Sequence, residues 1–160
     1  MYPQRKRLLL LIALLCFGAL GVALVSQHLF DMPPCAWCVL QRLIYLAIGL
    51  IALVAAFAGP LASRIGAGLG ALLALAGVAA AWYQYTVAAK MLSCDQTFAD
   101  RFMTGTGLDG ALPSVFGIFA TCMDASVTVL GLEYALWSLG LFVVLFFIAL
   151  PAAFAGRGRA

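Results

Sequence analysis

Four long stretches of the chain carry no Asp, Glu, Lys or Arg: Leu8–Phe30, Leu43–Ser63, Ile65–Ala89 and Tyr134–Ala155. Each exceeds the roughly 20 residues that a helix needs to cross a bilayer core. None alternates apolar and polar positions with period two, as strands of a membrane barrel do. Backbone groups cannot stay unpaired in hydrocarbon, so each stretch is expected to be a helix. The pattern predicts an all-α integral membrane protein, a four-transmembrane-helix bundle forming one domain over residues 1–160. The spans fall at about 8–28, 39–60, 65–87 and 134–155, with loops at about 29–38 and 88–133 on one side.

The first stretch also resembles a secretory leader, because Arg5, Lys6 and Arg7 precede an apolar run. Leader cores run about 7–15 residues and end at a small-residue cleavage site. This run is longer and has no clear A-x-A site, so it is read as a retained span.

Composition sharpens the class. Hydrophobic residues make up 66% of the chain and charged residues only 9%, against about 25% charged in soluble domains. The net charge of +3 is not a nucleic-acid signal, since the basic residues lie in short clusters beside apolar runs. Arg5, Lys6, Arg7, Arg64, Arg157 and Arg159 would all fall on one face of a four-span bundle. The excess of Lys and Arg on cytoplasmic loops places that face, and both termini, inside. All six acidic residues, Asp31, Asp95, Asp100, Asp109, Asp124 and Glu133, then lie outside.

That topology puts four of the five cysteines, Cys35, Cys38, Cys94 and Cys122, on the outer face, where disulfides persist. Their pairing is not fixed by sequence. Pro33 and Pro34 suit the start of a helix, so Cys35 and Cys38 are expected in or beside the first turn of the second span. The partial positive charge of a helix start favours thiolate, the reactive form. Arg42 follows Cys38 by four residues and shares its helix face, one turn deeper at the edge of the apolar layer. There it could stabilise a thiolate or bind the carbonyl of a flat apolar ligand. A metal site is not expected: the outer face has no second close cysteine pair and His28 is the only histidine.

The long outer loop holds Cys94 in a polar stretch, "SCDQTF", open to a soluble partner. "LPSVFGIFATC" runs apolar up to Cys122; Val115, Phe116, Ile118 and Phe119 are expected as a short amphipathic element on the bilayer surface. That would hold Cys122 near Cys35 and Cys38. A bracing Cys94–Cys122 disulfide is the plainer reading, contributing roughly 3–4 kcal/mol for a loop of about 30 residues. Cys16, mid-span, is read as a small hydrophobe. The "GAGLG" of Gly66–Gly70 is read as helix packing. Trp37, Trp82 and Trp137 are read as interfacial or packing residues, and His28 as an interfacial histidine.

Taken together, the four spans, the C-x-x-C-x-x-x-R of Cys35–Arg42, the second-loop cysteine pair, "CDQTF" and "LGLEYALW" resemble the DsbB family of bacterial inner-membrane disulfide-generating proteins. The resemblance covers nearly the whole chain. It implies a multi-pass inner-membrane enzyme with its active site on the periplasmic face. Such an enzyme reoxidises a periplasmic DsbA-like thioredoxin-fold partner and passes electrons to a membrane quinone, ubiquinone ahead of menaquinone. It further implies that Cys94 forms the mixed disulfide with the partner, that Cys122 exchanges with Cys35, that Cys38 faces the quinone, and that Arg42 holds the quinone or tunes the sulfur. A DsbA-like oxidant sits near about −120 mV, so its reoxidation demands a stronger electron sink than ordinary dithiols supply. Two positions depart from the family pattern: Gln41 stands where Glu is frequent, and Tyr85 where a histidine is sometimes found. The competing readings are a four-span structural or adhesion-type protein with bracing disulfides, and a quinol-linked reductase of similar plan.

Overall fold

The structure, a computed structural model, describes residues 2–91 and 96–154. Among the described residues, four helices are long and apolar enough to cross a membrane. They are α1 (Tyr2–Leu29), α2 (Ala36–Phe57), α3 (Pro60–Thr86) and, after the short elements described below, α7 (Tyr134–Phe154). Each packs along its neighbours: α1 on α2, α2 on α3, α3 on α7, and α7 back on α1. The result is a closed four-helix bundle, as the apolar pattern predicted.

Small residues set the spacing. A Cβ on Gly77 would collide with the ring of Phe142 on α7, and one on Gly66 would collide with the Ala55 side chain on α2. Within the "GAGLG" stretch only Gly66 serves such close approach, since Gly68 has open space beside it and Gly70 meets Ile48 at an ordinary contact distance. Phe142 is fully buried and stacks on Tyr45 at a centroid distance of 4.1 Å. Cys16 is buried in the same core among Leu9, Ile12 and Ile48.

The helices overrun the charge-free stretches where backbone chemistry allows. α1 begins at Tyr2, because a helix continues through the interface beyond the hydrocarbon. There Tyr2 Oη donates to Ala56 O at 3.1 Å and an Arg5 Nη donates to Pro60 O at 3.0 Å, tying the start of α1 to the α2–α3 turn. That turn needs Gly59, whose φ of 103° suits glycine, and Pro60 then occupies the first position of α3.

At the opposite end lie the two long connections. α4 (Phe98–Thr106) is a nine-residue amphipathic helix closed by a Thr97/Asp100 capping box and by Gly107 at φ 70°. Its Ala99 and Met103 are buried against α2, while Phe98 and Phe102 face outward. Two single turns follow, α5 (Leu108–Ala111) and α6 (Pro113–Phe116). The amphipathic element of the second loop is therefore α4. The apolar stretch before Cys122 forms only one turn, and its Phe116 is driven into the cluster around Cys35. A hairpin of β1 (Thr128–Val129) and β2 (Leu132–Glu133) turns through Leu130 and Gly131, both at positive φ. Trp137 Nε1 donates to Val129 O at 3.0 Å and pins the hairpin to α7.

Candidate redox site

Pro33 and Pro34 deliver the chain extended into α2, where Cys35 takes the N-cap position. Its sulfur does what a serine hydroxyl does elsewhere: it accepts from Cys38 N, at 3.4 Å. The capping geometry points both side chains the same way, and the Cys35 and Cys38 sulfurs lie 3.0 Å apart. Cys35 is wholly buried, among Val39, Met103 and Phe116.

Cys122, remote in sequence, packs against this cluster. Its thiol is the foremost influence holding Cys35 well above the ordinary thiol pKa, followed by the Cys38 thiol and by burial. Two backbone links hold the exterior segments together: Phe119 N donates to Pro34 O at 3.1 Å, and His28 Nε2 donates to Ser114 O at 3.0 Å. Cys94 lies outside the described residues.

The Arg42 guanidinium is buried and committed to the protein. One terminal nitrogen donates to Gln27 Oε1 at 2.6 Å and to Val115 O at 2.8 Å; the other donates to Ala23 O at 3.3 Å. It thus joins α1, α2 and the segment leading to Cys122. Its charge acts on Cys38 through space, behind the nearer hydrogen bonds.

The side chain that touches Cys38 comes from α3. Gln84 Nε2 donates to Cys38 Sγ at 3.2 Å, and Gln84 Oε1 accepts from Gln41 Nε2 at 2.6 Å. Gln41 Oε1 accepts from Ser138 Oγ of α7 at 2.6 Å. Gln84, Ser138 and Gln27 were not singled out from sequence. The available signal was an uncharged polar side chain within an apolar span, where such groups are costly and rarely idle. Tyr85, the departure that sequence did single out, packs instead against Trp82, with Lys90 over its ring.

Between α2, α3 and α4 runs a cleft of about 490 Å³ lined by Trp37, Leu40, Ile44, Tyr83, Phe98 and Phe102. Trp37 packs on Tyr83 at 4.8 Å and on Phe98 at 6.4 Å. Its indole N–H is buried and has no hydrogen-bond partner among the described residues.

Comparison with known proteins agrees with this architecture. The family model described as "Disulfide bond formation protein DsbB" matches residues 5–152. A protein named Disulfide bond formation protein B from Herminiimonas arsenicoxydans is 35% identical over 150 residues, covering 93% of this chain and 95% of the relative. One of the same name from Ralstonia nicotianae is 33% identical over 161 residues, covering 99% of each. A third, from Cupriavidus necator, is 35% identical over 154 residues, covering 96% of this chain and 93% of the relative.

Proposed function

The chain belongs to the DsbB family of membrane disulfide bond formation proteins, and from that premise we propose that it reoxidises a periplasmic DsbA-like thioredoxin-fold protein and passes the electrons to a membrane quinone. The observation that carries this reading is the meeting of Cys122 with Cys35 beside Cys38, at the loop end of four apolar helices. Thiol–disulfide exchange requires such contact, because a thiolate attacks one sulfur of a disulfide and displaces the other.

Written with its electrons, the relay has four exchanges. A thiolate of the reduced partner attacks Cys94 of a Cys94–Cys122 disulfide, and Cys122 leaves as thiolate. The partner's second thiol then attacks its own mixed sulfur, releasing Cys94 and leaving the partner oxidised. The freed Cys122 attacks Cys35 of a Cys35–Cys38 disulfide, and Cys38 leaves as thiolate; Cys94 closes back on Cys122 and releases Cys35. Two electrons and two protons then remain on Cys35 and Cys38. A bound quinone supplies a two-electron, two-proton acceptor for them.

The residues present suit a quinone. Cys38 stands in the first turn of an apolar helix, and its neighbour Trp37, whose buried N–H is unpartnered among the described residues, lines the aromatic cleft between α2, α3 and α4. Trp37 lines the cleft that would take the ring, and Arg42, held by Gln27, Val115 and Ala23, would act on the site through its charge. The Gln84 amide donates to Cys38 Sγ and favours negative charge on the departing sulfur. The basic clusters at Arg5–Arg7 and Arg64, on the end away from the cysteines, support an inner-membrane placement with the cysteines facing the periplasm.

Two measurements test the reading. A partner whose second cysteine is replaced should be trapped on Cys94 as a stable mixed disulfide, because its one thiolate opens the Cys94–Cys122 disulfide and no partner thiol remains to release it; a protein whose disulfides only brace its loops would trap nothing. Purified protein with added quinone should show a visible thiolate-dependent absorbance that disappears in Cys38→Ser. Direction is read from the partner in cells lacking this protein: it accumulates reduced if the protein is an oxidase.

A further inference from the structure

A buried amide has two unlike ends, so fixing its carbonyl fixes where its NH2 points. Gln41 and Gln84 are both almost wholly buried inside apolar spans, where no water can satisfy a wrongly turned amide. Their bonds form one continuous line. Tyr45 Oη donates to Ser138 O at 3.1 Å and lies 3.0 Å from Ser138 Oγ. Ser138 Oγ donates to Gln41 Oε1, Gln41 Nε2 to Gln84 Oε1, and Gln84 Nε2 to Cys38 Sγ. From Ser138 Oγ onward every donor points toward the sulfur, while Tyr45 spends its one proton on Ser138 O and holds Ser138 in place. The line crosses three helices: Cys38, Gln41 and Tyr45 share one face of α2, Gln84 belongs to α3 and Ser138 to α7.

We propose that this one-way line of donors is a positioning device, in which Tyr45, Ser138 and Gln41 aim the Gln84 N–H at Cys38 and so hold that sulfur ready as a thiolate. Gln84 touches the reacting sulfur; the other three act through it. The inference rests on the reading of Cys38 as the sulfur that faces the electron acceptor. Its logic explains why an amide serves at position 41. A carboxylate there would accept from Ser138 but offer no N–H to Gln84 Oε1. The Gln84 amide would then turn its NH2 toward position 41 and its carbonyl toward the sulfur. Two neutral amides pass a donor across the bundle without placing a negative charge beside the thiolate. Polarisation along such a chain also strengthens the terminal bond.

The groups that could titrate or act by charge around Cys38 are Cys35 and Arg42 of the same segment and Cys122 behind Cys35. From α7, Tyr134 reaches as far as Arg42, and from α3 the contact is the uncharged Gln84. All of these except Gln84 remain in the variants below, so a change is assignable to the amide line.

The test is the pH profile of Cys38 alkylation, read peptide by peptide on the reduced full-length protein in detergent. Gln84→Leu should slow the reaction at neutral pH about tenfold, the loss of one hydrogen bond to a charged group, and raise its midpoint by about one pH unit. Gln41→Met, which removes no contact with sulfur, should move the midpoint the same way by a smaller amount. In the Gln84→Leu background, Gln41→Met should add nothing. Ser138→Ala is the gentlest change and should give a small shift in the same direction. An unmoved midpoint in Gln84→Leu overturns the proposal, and so do equal Gln41→Met shifts in both backgrounds. If either glutamine variant fails to fold, an unmoved midpoint in Ser138→Ala overturns it. Quinone-dependent turnover that survives Cys38→Ser would instead sink the functional reading, without touching the alkylation result.

Discussion

Single sulfurs in this protein differ by their neighbours more than by their own chemistry. Cys35 is wholly buried and held as a thiol by Cys122, by Cys38 and by lack of solvent. Its pKa lies above the ordinary value, so it stays protonated through neutral pH and gives up its proton only as pH rises well past the usual thiol range. Iodoacetamide at neutral pH should therefore modify the half-buried Cys38 before Cys35, which mass spectrometry of the two labelled forms would show. Cys122→Ala removes the foremost cause, so Cys35 should titrate lower and label faster at a given pH. Arg42 holds the structure as well as serving the proposed quinone site. Arg42→Ala leaves Gln27 Oε1 and Val115 O without their donor, and should destabilise by about 2 kcal/mol. We expect a raised apparent KM for quinone together with faster proteolysis in the segment before Cys122. Cys16→Ala, deep among aliphatic side chains, should leave turnover unchanged.

Elements were legible where local chemistry decides them. The charge-free runs marked all four long helices, because hydrocarbon tolerates little else. Their ends were less legible: α1 reaches back to Tyr2 and α3 to Pro60, since a helix end is set by caps and turns such as Gly59, not by where charge begins. The amphipathic helix α4 was hidden in a polar stretch whose capping box, Thr97 and Asp100, is a stronger signal than its apolarity. Phe116 looked surface-bound by composition and is instead buried, because a tertiary cavity beside Cys35 receives it. The amide line could not be read at all. Gln41 and Gln84 are 43 positions apart and Gln41 and Ser138 are 97 apart, so only the packed bundle brings them together. Thr97→Ala should cost α4 about 1 kcal/mol, visible as faster amide exchange confined to Phe98–Thr106. Gly77→Ala forces the Phe142 ring to move and should lower stability by about 1–3 kcal/mol, measurable as a lowered Tm.

At the scale of the whole molecule, the two ends of the bundle are built differently. Tyr2 and Arg5 stitch the start of α1 to the turn between α2 and α3. The opposite end carries the long segments, joined by Phe119 N to Pro34 O and by Val115 O to the Arg42 guanidinium. Those two links do more than hold a shape. They tether Cys122 beside Cys35, so the exchange proposed between them would proceed at an effective concentration set by geometry, in the manner of any linked pair. Internal electron transfer should then keep the same first-order rate when the protein is diluted a hundredfold in detergent, while the encounter with a soluble partner slows in proportion.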